Sequence, residues 1–280
     1  MITALKTLTI LALATSASAG GVVSVIGDAE SICGTDQAQP AIAYKNSDAA
    51  KYKVGLATAR LGLRGGYCTG WLWGSEGHLM TNNHCIRDAS TASTAVAEFD
   101  AECATVDDPN NKKQLGCKGV FVSNSSTFII TDVTLDFTLV KLNVNPGMSL
   151  TQYGYLQARD SDVQLDDAIY IAGHPNTYPR HISHLNDDGK FARITNTSVK
   201  GCSADNLAYN VDTQGGNSGS PILGQRDNRV VALHNCGSCS QFGLGANTGN
   251  KITKIIAFLR AKNLLPKDAV AGGNCKASTD

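Results

Sequence analysis

The sequence has no excess of charge of either sign. Its 24 Lys and Arg residues balance 24 Asp and Glu, and the formal net charge is zero. Nucleic acid and anionic membrane surfaces are held by accumulated positive charge, so neither is expected as a partner. Also lacking is any apolar run approaching the ~20 residues that a membrane-spanning helix needs. No internal repeat recurs at a fixed period, and no segment is of low complexity. Charged residues make up 17% of the chain and hydrophobic residues 42%, which sets global disorder aside and permits a sizeable core. The 280 residues suffice for one large domain or two small ones sharing an interface.

What is present begins at the N-terminus. Lys6 precedes an apolar stretch from Leu8 to Ala14, and the small residues Ala17, Ser18 and Ala19 close it. Residues 1–19 therefore read as a secretory signal peptide cleaved before Gly20, and the mature chain is expected to be extracellular. The nine cysteines suit that compartment, and their odd number leaves at least one unpaired or intermolecular. Residues 20–50 lack periodicity and are expected to form a propeptide or an arm strapped on through Cys33. Residues 266–280 read as a loosely held tail.

From about Gly55 the chain breaks into short β-branched or aromatic runs separated by turn residues. They include Tyr67 to Trp73, His78 to Thr81, Ala95 to Phe99, Gly119 to Ser123, Phe137 to Leu142, Ala168 to Ala172, Leu207 to Val211 and Arg229 to His234. Such spacing indicates an all-β barrel or sandwich. Asp188-Gly189 marks a tight hairpin turn. One helix is expected over Lys251 to Leu264, with Ile252, Ile255, Ile256, Leu259 and Leu264 on one face and Pro266 stopping it.

Three segments carry chemistry. In Gly215-Gly216-Asn217-Ser218-Gly219-Ser220-Pro221, glycines permit a sharp turn that presents a serine hydroxyl while backbone N–H groups face the same cavity. A serine needs a base to accept its proton. Leu79-Met80-Thr81-Asn82-Asn83-His84-Cys85 offers one, a histidine just past a strand and beside a cysteine. In Leu135-Asp136-Phe137-Thr138-Leu139-Val140 a lone acid interrupts an apolar strand and needs a partner, which a histidine Nδ1–H supplies. Asp132 competes for that role but reads better as a turn residue.

In the order His, Asp, Ser, these segments resemble the motifs of trypsin-like serine peptidases over roughly residues 55–262. The resemblance implies two six-stranded antiparallel β-barrels packed face to face, with a C-terminal α-helix outside. The peptidase domain would occupy residues 51–265, one barrel over about 51–145 and the other over about 146–265. It implies hydrolysis of protein or peptide substrates through a Ser218 acyl-enzyme. His84 would be general base and acid, Asp136 its orienting group, and the Gly216 and Ser218 N–H groups the oxyanion hole. No cofactor and no metal are implied, and a monomer is expected. Cys68 with Cys85 matches the family disulfide that brackets the catalytic histidine, and Cys103 with Cys117 is a local pair.

Asn217 stands where many digestive members have the Asp that pairs with a freshly cut N-terminus, so that form of activation is not expected. Asn217-Ser218-Gly219-Ser220-Pro221 is similar to bacterial glutamyl endopeptidases. There, positions matching Thr213 and His234 line the primary specificity pocket, which implies cleavage after Glu or Asp. Cys236 pairs with Cys239, or one of the two pairs with Cys202. The alternative function is an inactive secreted homologue acting as a binding protein, or a peptidase of other specificity. The segment Gly173 to His181 reads as a surface loop near the cleft.

Overall fold

The computed structural model describes residues 31–203, 205–237, 239 and 246–271. Residues 1–30, with the expected signal peptide and the first part of the expected propeptide or arm, lie outside them, as do Cys275 and the end of the tail.

The arm is tied down along its described length. Its strand β1 (Gln39–Pro40) pairs antiparallel with a strand of the second half, and the short helices α1 (Tyr44–Ser47) and α2 (Ala49–Gly55) follow. Asp48 caps α2, its side chain accepting the Lys51 N–H at 3.0 Å.

The first half contains β2 (Thr58–Leu63), β3 (Gly66–Leu72), β4 (His78–Thr81), α3 (Ala89–Ala92), β5 (Val96–Phe99), β6 (Val120–Asp132) and β7 (Phe137–Val144). The strands close into an antiparallel barrel in the order β2-β3-β4-β7-β6-β5. The thirteen-residue β6 bends to fit because its pairing with β7 shifts register between Ser123 and Ser126 and again between Phe128 and Ile130.

The second half contains β8 (Ile169–Gly173), β9 (His181–Ser183), β10 (Ile194–Val199), β11 (Asn206–Tyr209), β12 (Pro221–Gly224), β13 (Val230–Cys236) and β14 (Asn247–Lys251). It is an eight-stranded antiparallel sheet rather than a six-stranded unit, in the order β1-β9-β8-β12-β13-β14-β11-β10. The arm adds β1 at one edge. Beyond β9 the Asp188-Gly189 turn forms, Gly189 N–H donating to Asn186 O at 2.9 Å with Leu185 bridging to Phe191. The sheet rolls back on itself where Ile169 N–H donates to Ala192 O at 2.8 Å and Ile194 N–H to Asp167 O at 3.0 Å.

The terminal helix α4 (Ile252–Ala261) buries Ile252, Ile255, Ile256 and Leu259 at its spacing of three and four residues. Its Phe258 meets Phe137 of the first barrel edge-on, with centroids 5.4 Å apart. One apolar cluster runs through the first barrel to α4, around Trp71, Trp73, Leu79, Phe137 and Ile255; a second fills the sheet around Ile171, Tyr209, Ile222 and Val231. Two buried cations join the halves. Arg60 pairs with Glu98 and donates to Thr177 O at 2.8 Å, and Arg180 donates to Glu102 at 2.6 Å.

Four disulfides join Cys33 to Cys239, Cys68 to Cys85, Cys103 to Cys117 and Cys202 to Cys236. Cys236 thus takes Cys202, and Cys239 holds the arm.

Candidate active site

The histidine sits one turn past the end of β4, held between the two strands that flank it. The Asn82 side chain donates to Asp136 O at 2.9 Å, and that of Asn83 donates to Thr131 at 2.8 Å. Asp136 occupies the tight turn from β6 into β7 with a left-handed φ of 42°. One carboxylate oxygen accepts the His84 backbone N–H at 3.1 Å, and the other lies 2.8 Å from His84 Nδ1. With both oxygens engaged, Nδ1 carries the proton and Nε2 presents its lone pair; Nε2 has no hydrogen-bond partner among the described residues. Asp132 instead accepts the Leu135 N–H at 2.8 Å and shapes the turn.

Ser218 approaches from the second half. Its carbonyl accepts the Thr69 N–H at 2.9 Å and lies 4.0 Å from Cys85 Sγ, which places the serine against the Cys68–Cys85 bridge beside His84. Gly219 N–H donates to His234 O at 3.0 Å and His234 N–H to Ser220 O at 2.9 Å, fastening the serine turn to β13. Gly216 has a φ of 100°, and a Cβ there would come within 2.7 Å of His174 O, so only glycine fits. Its N–H is spent on no backbone carbonyl among the described residues. Both carbonyls of the double glycine are held: Gly215 O by the Asn176 N–H at 2.6 Å, Gly216 O by the Thr69 hydroxyl at 2.8 Å. The same hydroxyl accepts the His174 N–H at 3.1 Å.

This overturns the reading of Gly173 to His181 as a surface loop. His174 and Thr177 are buried beneath the serine turn, and Asn176 reaches its left-handed φ of 48° there. The Asn176 side chain is fixed by Gln114 at 3.0 Å and Tyr178 at 2.8 Å, which ties in the loop closed by Cys103 and Cys117. Two prolines and two histidines suggested solvent. The long-range hydrogen bonds that bury them leave no local pattern.

Thr213 and His234 are both buried, His234 on β13 beside β14 and Thr213 in the segment that follows its other neighbour, β11. Thr213 follows β11, and its hydroxyl donates to Ser31 O at 3.4 Å. The Ser31 hydroxyl accepts the Cys239 N–H at 2.7 Å, and the Asn247 side chain donates to Ser31 O at 2.8 Å. His234 Nδ1 lies 2.6 Å from the Tyr209 hydroxyl, whose proton goes to Thr248 O at 2.7 Å. Nδ1 therefore carries a hydrogen. Burial first, and then the nearby His84, pull the His234 pKa down to about 3. Tyr209, Asn247, Ser31 and Thr69 were not singled out in the sequence, since their roles arise only when distant strands meet.

Two groupings of metal-ligand types occur among the described residues, Cys68–His84–Cys85 and Cys103–Asp108–Cys117. In both, the cysteines are spent in a disulfide, so a single ligand remains.

A closed barrel and a rolled sheet, meeting at a His–Asp pair and a glycine-bracketed serine, define the trypsin-like class of fold. Residues 68–233 match the trypsin-like peptidase domain, and the chain belongs to that family. It is 38% identical over 247 residues to Secreted RxLR effector protein 73 of Plasmopara viticola, covering 87% of this chain and 58% of that protein. It is 29% identical over 203 residues to Glutamyl endopeptidase of Bacillus licheniformis, covering 68% and 57%. The chain thus spans under three fifths of the length of these two curated relatives. Among solved structures, a Glu endopeptidase in complex with MPD superposes with a TM-score of 0.54 at 19% identity, over 82% of this chain and 98% of that one. The Rv3671c protease in its inactive form gives 0.53 at 13%, over 84% and 98%. Deg5 gives 0.52 at 15%, over 76% and 92%. These likenesses establish the fold.

Proposed function

We propose that the protein is a secreted serine endopeptidase. Ser218 Oγ attacks the scissile carbonyl as His84 Nε2 takes its proton. The Gly216 and Ser218 N–H groups stabilise the oxyanion, and the histidine returns the proton to the leaving amine. Water then hydrolyses the acyl-enzyme by the same route. None of these steps requires a cofactor. The observation that carries this reading is the two-point hold of Asp136 on His84, at 3.1 Å to the backbone and 2.8 Å to Nδ1, which fixes the tautomer that exposes a basic Nε2.

Export is supported by residues 1–19, by four disulfides and by the relative whose name is a secreted effector. No helix among the described residues is long and apolar enough to cross a membrane.

Acidic specificity rests on Thr213 and His234. A substrate carboxylate would restore to His234 the charge that burial removes, taking up a proton, and the Thr213 hydroxyl would exchange Ser31 O for the carboxylate. Ser31 lies against this pocket, so cleavage just before it would bring an α-ammonium there as a further positive group. Residues 20–30 are then a removable propeptide, and residues 31–50 a permanent arm.

A random peptide library incubated with the purified protein tests the reading, with Ser218→Ala as control. Cuts after Glu, lost in the control and weakened in His234→Ala, are expected. Cuts after other residues would refute the pocket while keeping the triad. A second reading, a secreted protein that binds a partner without cutting it, draws on the likeness to a protein named as a secreted effector and not as a peptidase. Absence of cutting by correctly disulfide-bonded protein, trimmed to begin at Ser31, would support it.

A further inference from the structure

Two shallow troughs of the first barrel open beside the histidine. One, of about 450 Å³, is lined by His84 and Cys85 together with Leu63, Arg64, Arg87 and Asp88. The other, of about 370 Å³, shares Leu63, Arg64 and Thr94 with the first and runs on to Leu115, Lys118 and Phe121. Together they form one continuous depression leading away from His84.

Its charges are unevenly committed. The carboxylate of Glu98 is buried, receiving the Arg60 Nε–H at 2.9 Å and the Gly119 N–H at 2.7 Å. Asp88 caps α3, accepting the Thr91 N–H at 2.7 Å and the Thr91 hydroxyl at 2.9 Å. Arg60 is spent on Glu98 and Thr177. Arg64, Arg87 and Lys118 are exposed and make no salt bridge among the described residues. Three exposed cations therefore face a depression in which Glu98 is neutralised by Arg60 and the one remaining carboxylate, Asp88, offsets part of the charge of its neighbour Arg87.

The direction of the depression follows from the chemistry. His84 hands its proton to the departing amine, so substrate residues after the scissile bond leave past the histidine and the Cys68–Cys85 bridge. Those before it are held by the second half, where Thr213 and His234 lie. We infer that Arg64, Arg87 and Lys118 form a leaving-side subsite selecting acidic side chains at the first three positions after the cut. This rests on the peptidase reading and adds to it a second, independent region of substrate recognition.

Quenched peptides with one fixed residue before the bond, and Asp, Asn or Lys at the three following positions, test it. Three exposed ion pairs should raise kcat/KM for the Asp series about 10-fold over the Lys series at low salt, falling to about 2-fold in 1 M NaCl. In the triple variant Arg64→Gln, Arg87→Gln, Lys118→Gln the two series should come within about 2-fold at any salt, and Arg64→Glu should narrow the ratio further than Arg64→Gln. An unchanged ratio in the triple variant overturns the subsite, as does a charge preference that follows only the residues before the bond.

Binding to Ser218→Ala protein separates this from failure of the peptidase reading. Fluorescence anisotropy should find the Asp peptide bound more tightly than the Lys peptide, with the difference lost in the triple variant, whether or not the wild-type protein cuts. Equal binding of the two peptides overturns the subsite even if cutting is observed.

Discussion

Thr69 is the least conspicuous residue on which the proposed oxyanion hole depends. Its fully buried hydroxyl accepts the His174 N–H and donates to Gly216 O, and it thereby links the β8–β9 connection to the glycine whose N–H is proposed to hold the oxyanion. Thr69→Val keeps the shape and removes the oxygen. Two buried backbone groups are then stranded, at roughly 1–3 kcal/mol each, so the variant should lose about 2–4 kcal/mol of stability if part of the cost relaxes away. Relaxation is what harms catalysis, because Gly216 O belongs to the peptide group that follows Gly216, and its release lets the Gly216 backbone turn about its Cα and re-aim the N–H on the other side. Outright deletion of an oxyanion donor costs about 10²–10³ in kcat, so a misaligned one should cost about 10–100-fold, with KM changing less. Thr69→Ser retains the oxygen and should stay within about 3-fold of the parent. The assay is steady-state hydrolysis at a temperature where circular dichroism shows all three proteins folded. A folded Thr69→Val with parental kcat would refute the argument. So would a Thr69→Ser that falls as far as the valine variant.

Other predictions follow the same geometry. Asp136→Asn should leave the fold intact and lower kcat by about 10⁴, because an amide no longer dictates the His84 tautomer; kcat close to the parent's would remove Asp136 from the site. Gly216→Ala should be inactive towards peptides because its Cβ meets His174 O, and it should still bind the Asp peptide of the leaving-side series. Asp212 accepts the N–H groups of Cys33 at 2.9 Å and Gln37 at 2.7 Å, and burial, with Asp36 and Asp187 adding repulsion, pushes its pKa up to about 6. A raised carboxyl pKa means the folded chain binds more protons than the unfolded one, so the stability it contributes is full near pH 4 and is lost as pH rises through about 6. Thermal melts of the parent and Asp212→Asn from pH 4 to 8 should therefore differ in slope over that window, and parallel curves would contradict the assignment. Arg180→Leu leaves the partly buried Glu102 with Tyr52 as its remaining side-chain partner, and should cost about 2–3 kcal/mol in denaturant unfolding.

The elements that could be read from the sequence are those whose signal is local. His78 to Thr81 matches β4 residue for residue, since a short apolar run bounded by Gly77 and Asn82 can do little else. The face of α4 appeared as four buried residues at helical spacing, and its last turn stops at Ala261, short of Leu264, as Lys262 closes it. Strand β14 was invisible. Asn247-Thr248-Gly249-Asn250-Lys251 has no apolar pattern, and it is buried because β11 and β13 satisfy its backbone and Val211 O, Ser31 O and Asn235 satisfy its side chains. The site divides in the same way. Motif glycines and a strand-end histidine are local and legible. The supports beneath them come from residues such as Thr69 and Gly216, 147 positions apart, and Thr213 and Ser31, 182 apart. Only the closed fold brings these together.

The proposed function stands or falls with Ser218 as a nucleophile activated by His84. Incubation of the disulfide-bonded protein with a fluorophosphonate, followed by peptide mass mapping, tests it most directly. One stoichiometric adduct on Ser218 is expected, absent in Ser218→Ala and slowed by orders of magnitude in His84→Ala. A folded protein trimmed to begin at Ser31 that remains unlabelled, or is labelled equally fast without His84, would contradict it.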